Sequence, residues 1–319
     1  MMQRVSQRHG LIAVDKQGNN IFFLNPDSFA IEQEINGLPP RPHELLILPD
    51  QGKAWVSVFG DGVHGDNPYP GHKIAVIDLR QRTLSNFIDI SPLKAPHTAR
   101  IGHDGKVYIC CEDSSAIAIL DPLEECVTGK IAIPSHNAHR LTLLPGGRKL
   151  FTDNEEDATI TVVDLCQSPG EVVDTILMPG PLAGIDASPQ YPYLVASDAT
   201  RPVIYEIDAN SHRVRHTLPL DGHHRPAQVV RFSADGTLLA VIGDNEPLVS
   251  LFDALLTPLA TIKVGERPMD GCFSPDNSRL LIANEGDGTL SVIELATRKV
   301  VATPRVGRGC EILSYFSVD

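Results

Sequence analysis

Short apolar runs, each about the length of a β-strand, recur along this chain in a fixed order separated by polar turns. The segments HELLILPDQGKAWVSV, TARIGHDGKVYICC, HRLTLLPGGRKLFTD, VVRFSADGTLLAVIG and GCFSPDNSRLLIAN align as hairpins of a first and a second strand, and GIDASPQYPYLVASD fits more loosely. A third apolar strand follows each hairpin and ends at Asn25, Asp78, Asp121, Asp164, Asp208, Asp253 or Glu294, with a polar fourth strand beyond it. Those ends lie 53, 43, 43, 44, 45 and 41 residues apart. A period of about 40–45 residues, built from β-branched segments bounded by Gly, Pro, Asp and Asn, matches a four-stranded propeller blade and not a helical repeat. The acidic column at the third-strand ends has a structural reading: such a side chain accepts backbone N–H groups in the turn that follows.

Seven repeats predict an all-β fold: a seven-bladed β-propeller with four-stranded antiparallel blades, one domain over residues 1–319. The first repeat lacks its first strand, since GLIAV, NIFFLN and AIEQEI supply only the second, third and fourth. The tail CEILSYF supplies the missing one. The ring is then closed by the C-terminal strand joining the N-terminal blade, which removes the exposed edges of an open sheet.

Composition narrows the partners. Apolar residues make up 42% of the chain and charged ones 21%, with 25 each of Gly and Pro, as expected of a folded, turn-rich protein. A formal charge of -13 argues against nucleic acid or an anionic membrane as partner, because both demand a basic face. The opening MMQRVSQRHGLIAVDKQGNN has no signal-peptide core, and no stretch approaches the roughly 20 apolar residues of a membrane helix, so the expectation is a cytoplasmic protein, monomer or homodimer. Six cysteines without a CxxC pair read as buried thiols, with Cys310 set apart by its place at a channel position.

The lines FSADGTLLAVIGDNEPLVSLFDA and FSPDNSRLLIANEGDGTLSVIELATRKVV resemble repeats of the YVTN family, whose second-strand motif stands here as LIAN, and of the related lactonase-like propellers. The resemblance spans essentially the whole chain. It implies the seven-bladed fold, and it implies an activity only as broadly as that group, which includes lactonases, a cycloisomerase, surface-layer proteins and cofactor-handling proteins.

In a propeller the innermost strand of each blade lines a central channel. Aligning the position seven residues before each first turn gives Cys310, His43, His97, His139, Ala183, Gln228 and Met269 for blades one to seven. Three adjacent blades thus carry His at one equivalent position, and three imidazoles suffice for a catalytic zinc-type site with an open coordination position. The sequence therefore predicts a divalent metal (Zn, Mn or Fe) on His43, His97 and His139. The alternative is structural: a His after Pro at a strand start, as in Pro42-His43 and Pro96-His97, bonds a neighbouring carbonyl and plugs a polar channel.

Around that trio, Glu44, Glu311 and Arg140 are the candidate catalytic groups. The segment GDGVHGDNPYPGH, an insertion in the second blade, carries Asp61, His64, Asp66 and His72 over the same face, as a lid or as a rim decoration. His64, His72, Arg225, Gln228 and Arg267 are the candidate substrate contacts. Glu112, Asp113, Asp153, Asn154, Glu155, Arg201, His223, His224 and Arg308 share the face, and arginines there suit a carboxylate held bidentately. No GxSxG elbow, Walker loop, GxGxxG or HExxH occurs, which disfavours serine-hydrolase and nucleotide chemistry.

The leading expectation is a small-molecule enzyme at the channel mouth, a metal-dependent hydrolase of lactonase type acting on an anionic or cyclic ester. A metal-free His/Arg/Glu cycloisomerase or lyase is the second reading. The third is a non-catalytic propeller that binds a metal, a cofactor or a protein.

Overall fold

The computed structural model describes residues 8–167 and 169–318. Twenty-eight strands form seven antiparallel sheets of four, arranged as seven blades. Two 3-10 turns, Pro49–Gln51 and Glu112–Ser114, are the helical segments among the described residues. No helix among them is long and apolar enough to cross a membrane. The inner strands, from blade 1 to blade 7, are Cys310–Val318, Pro42–Leu48, Pro96–Ile101, Leu141–Leu143, Leu182–Ala187, Val229–Phe232 and Pro268–Phe273.

The continuous apolar runs of the second strands follow from the architecture. A strand buried on both faces has no polar side to alternate with. In Leu238–Ile242, Leu239 and Val241 enter the core between blades 5 and 6, while Ala240 and Ile242 enter the core between blades 6 and 7. Seven such clusters, one per pair of neighbouring blades, make up the interior. The fourth strands are exposed edges and carry charge, as in Glu171–Leu177 and Arg213–Pro219, which discourages pairing with another chain.

The acidic column does what turn chemistry requires at six of its seven places. Asp78 accepts the N–H groups of Arg80 and Gln81, Asp121 those of Leu123 and Glu124, Asp208 those of Asn210 and Ser211, and Asp253 those of Leu255 and Thr257. Asn25 and Asp164 act alike. Glu294, one methylene longer, instead accepts the hydroxyl of Thr297.

Closure occurs as the repeat requires. Cys310–Val318 pairs antiparallel with Arg8–Asp15, from Arg8 opposite Val318 to Asp15 opposite Cys310. Asp15 is fully buried and ties the two ends of the chain: its carboxylate accepts N–H groups from Gly18 at 3.1 Å, Arg308 at 3.1 Å and Gly309 at 2.8 Å. Gly307, at φ +73°, lies so close that any Cβ there would collide with this carboxylate. Ile312, Leu313, Phe316 and Val318 of the same strand fill the cores on both sides of blade 1.

Removing residues 310–319 therefore deprives blade 1 of its inner strand and exposes two inter-blade cores. The expected outcome is loss of the cooperative thermal transition, followed by circular dichroism, in a chain that still carries the other six blades; a truncated protein melting within a few degrees of the full chain would contradict closure as the source of ring stability.

Candidate active site at the channel mouth

Five of the seven inner strands carry a one-residue bulge at their start. In blades 1, 5 and 7 the extra residue is Glu311, Ala183 and Met269. In blade 2 His43 and Glu44 oppose the single residue Ser57, and in blade 3 His97 and Thr98 oppose Cys110. A bulge bends the strand and re-aims a side chain, and here it turns equivalent residues of successive blades toward the channel. His139 and Gln228 hold the matching places in blades 4 and 6, donating their N–H groups to Asp153 O and Ile242 O. The equivalent position in blade 1 is Glu311, one residue beyond Cys310. Cys310 points instead into the core between blades 7 and 1, fully buried, and burial pushes its thiol pKa up. A one-residue shift in a strand reverses the face a side chain takes, and the bulge is what the sequence alignment lacked.

These positions surround a cavity of about 370 Å³ lined by His43, His97, His139, Gln228, Met269 and Glu311, with His64, Glu155, Arg140, Arg267, Lys16 and Phe59 among the other contributors. One wall is a row of four imidazoles. Ring centroids are 4.3 Å apart from His43 to His97, 4.5 Å from His97 to His139 and 4.4 Å from His139 to His64. His43 Nε2 and His97 Nε2 lie 2.7 Å apart, and Phe59 packs against both rings. Burial and the neighbouring cationic groups drive the pKa of His97 and of His139 well below the ordinary histidine value, so both rings are neutral.

Carboxylates flank the row. Glu112 Oε1 is 3.8 Å from His97 Nε2 and 3.9 Å from His139 Nε2, and Glu112 Oε2 is 3.1 Å from His64 Nδ1. Burial raises the pKa of Glu112, and its Oε1 has no hydrogen-bond partner in the protein. Glu155 lies 2.8 Å from His64 Nε2 and 3.4 Å from His139 Nδ1. Burial opposes charge on His64, yet hydrogen bonds to Glu112 and Glu155 raise its pKa to about 11. Asp153, behind His139, is pushed up to about 7 by burial. His64 belongs to the inserted blade 2 loop, which is held by its own bonds: Asp61 N–H to Tyr69 O, Asn67 Nδ2 to Phe59 O, and a bridge between Val63 and Asp66. The insertion places an imidazole over the mouth.

Paired cations also line the cavity. Lys16 Nζ contacts Glu311 Oε2 at 2.7 Å, while Glu311 Oε1 is 3.0 Å from His43 Nδ1. Burial would raise the pKa of Glu311, but His43 and Lys16 hold it at about 2. Arg267 reaches Asp244 at 3.0 Å and Glu285 at 3.2 Å, with about half its side chain exposed to the mouth. Beneath the imidazoles Glu44 does not line the cavity. It accepts from Arg140 Nη1 at 2.8 Å, beside a second buried pair in which Arg231 holds Asp270 bidentately at 2.9 and 2.5 Å.

The structure thus brings His43, His97, His139, His64, Glu311, Arg140, Gln228 and Arg267 to one cavity and places Glu44 directly below it. His72 and Arg225 are exposed and do not line it. His223 is buried against Ser250 Oγ at 2.9 Å, and His224, Arg308 and Asp113 are exposed. Lys16 and Glu285, absent from the sequence-based candidates, follow the last residue of a second strand, as Glu112 and Glu155 do. Extending the repeat one residue past that strand would have exposed the column. A larger cavity of about 620 Å³ opens on the opposite face, among Pro26, Pro49, Pro275 and Tyr315, and none of the His–carboxylate clusters borders it.

Two stability consequences follow from the buried charges. Arg140→Ala strands Glu44 in the interior, at an expected cost of about 3–5 kcal/mol in chemical denaturation; a cost below 1 kcal/mol would show the pair to be dispensable. In blade 5, burial opposes the charge of Asp198, but hydrogen bonds from Tyr205, Thr200 and Arg201 lower its pKa from 3.8 to about 2. A depressed folded-state pKa contributes stability above the unfolded value that is lost as pH falls through the folded one. Wild type should therefore exceed Asp198→Asn by about 2 kcal/mol at pH 6, with the gap closing between pH 4 and about 2; a pH-independent gap would locate the effect elsewhere.

Neither a protein-family model nor a curated protein matches the sequence. Solved structures do match in fold. The chain is 17% identical to the periplasmic gluconolactonase PpgL of Pseudomonas aeruginosa, covering 98% of this chain and all of that one, with a TM-score of 0.79. A protein of unknown function from Desulfotomaculum acetoxidans DSM 771 matches at 13% identity over 97% and 99% of the two chains, TM-score 0.79. Hydrazine synthase of Kuenenia stuttgartiensis matches at 15% identity over 90% and 92%, TM-score 0.74. At these identities the likeness concerns the propeller fold.

Proposed function

We propose that this protein is a metal-dependent hydrolase of a small anionic or cyclic ester, working at the channel mouth. The observation that carries the proposal is the donor set: neutral, buried His97 and His139 with the unpartnered Glu112 Oε1 less than 4 Å from both. Neutral imidazole and carboxylate are what a borderline divalent cation such as Zn, Mn or Fe requires. An ion held by these side chains supplies a Lewis acid for an ester carbonyl and lowers the pKa of a water.

The remaining residues bind and orient. Arg267, half exposed at the mouth, offers its guanidinium to a substrate carboxylate. Gln228 also lines the cavity and can hydrogen-bond a hydroxyl or a ring oxygen. Glu311 is engaged by Lys16 and acts as a counter-ion that fixes His43 in place, whereas Glu44 is bonded to Arg140 through Oε1 and keeps Oε2 without a hydrogen-bond partner. Asp153 accepts the Arg140 backbone N–H at 2.6 Å and lies 3.8 Å from His139 Nδ1. The fold shared with a gluconolactonase supports a lactone as the first substrate class to try.

One observation favours a second reading. Glu311, His43 and Lys16 form a compact carboxylate–imidazole–amine group that can transfer protons without a metal. The test is hydrolysis of a panel of lactones and aryl esters by native, chelator-stripped and metal-reloaded protein, with His97→Ala/His139→Ala alongside. The expected result is loss of at least 100-fold on stripping, recovery on reloading, and no recovery in the double variant. Full turnover by the stripped protein, abolished by His43→Ala, would transfer the assignment to the metal-free Glu311–His43–Lys16 group.

A further inference from the structure

We infer that the channel mouth is built for a pair of divalent transition-metal ions and not for one. The inference rests on the metal-site reading above and deepens it. His43, Glu44 and His97 have ligand atoms that all lie within 4.8 Å of one another, and so, separately, do His64, His139 and Glu155. These two His–His–carboxylate sets share no residue. Either one offers as many protein ligands as a catalytic ion takes.

Between the sets stands Glu112. Its Oε1 is 3.8 Å from His97 of the first set and 3.9 Å from His139 of the second, while its Oε2 is 3.1 Å from His64. With 4% of its surface exposed and Oε1 unpartnered, this carboxylate is aimed at the gap between the two sets. A carboxylate has two oxygens with about four lone-pair sites, enough to bridge two cations. An unbridged pair of ions at such proximity would repel strongly in a buried setting, so the anion between them is the feature a two-ion site needs. Four imidazoles with Glu112 and Glu155 beside them and Glu44 beneath exceed what a single ion with an open position uses.

The loop that carries His64 gives the second set a distinct origin. Blade 2's insertion delivers His64, blade 4 delivers His139 and Glu155, and the first set comes from the inner strands of blades 2 and 3. The two sites are separable by mutation. His64 lies on a surface loop, so its removal leaves every blade intact.

Metal content of full-length protein loaded with Zn2+ and desalted, measured by inductively coupled plasma mass spectrometry, tests the pair. Wild type should hold two ions per chain, His64→Ala and His43→Ala one each, and His43→Ala/His64→Ala none, with circular dichroism confirming the fold of each. Mn2+-loaded wild type should show an exchange-coupled electron paramagnetic resonance signal that collapses to an isolated Mn2+ signal in His64→Ala. One ion in wild type, retained in His64→Ala, would overturn the pair and leave the single-ion hydrolase standing. No bound ion at all would overturn both.

Discussion

Everything at the channel mouth depends on one backbone pairing, that of Cys310–Val318 with Arg8–Asp15. It closes the ring at seven blades, and the ring geometry decides which side chains meet across the channel. The same strand delivers Glu311 to His43 and Lys16, so the C-terminal residues are part of the site as well as of the fold. Asp15 secures the junction with three backbone N–H groups from segments nearly three hundred residues away in sequence, or, for Gly18, from the adjacent turn. Such a bond network joins the two ends of the chain. Long-range closure of this kind makes the site a property of the completed ring.

The charge arrangement explains why so acidic a chain concentrates its histidines here. Four imidazoles stand among Glu112, Glu155, Glu311 and Glu44, with Lys16 and Arg140 each committed to one carboxylate. His64 responds by holding its proton, a cation among Glu112, Glu155 and Glu156. His97 and His139, deeper and beside other cationic groups, respond by losing theirs. One row of like side chains therefore contains two protonation states, set by depth and by partners. Buried polar atoms lacking protein partners, such as Glu112 Oε1 and His139 Nδ1, are concentrated in the same place.

Much of this was legible in the sequence. The repeat length, the missing first strand and the completing tail follow from apolar runs and turn residues, since a strand packed on both faces must be apolar throughout. The columns of His43, His97 and His139 and of the acidic third-strand ends were readable because equivalent places in successive blades recur at nearly constant spacing. Glu112 and Glu155 were visible as charged turn residues but not as partners of the histidines. Glu311 was found beside the position assigned to Cys310 and not in it, because a strand bulge adds a residue that spacing cannot register. His72 and Arg225 shared the polar character of the true lining residues and differ from them only in where the backbone carries them.

The sequence by itself determined the number of blades, their strand order, the closure and the column of His43, His97 and His139, all consequences of short apolar strands and polar turns repeated at blade length. The tertiary structure alone decided which residues meet. The bulges in five inner strands turn a residue toward the channel, the blade 2 insertion brings His64 over the mouth, and ring closure sets Glu311 against His43. The reason is physical: local pattern governs which side of a strand is buried, whereas distances between side chains on different blades depend on how far each strand is bent and where the ring closes.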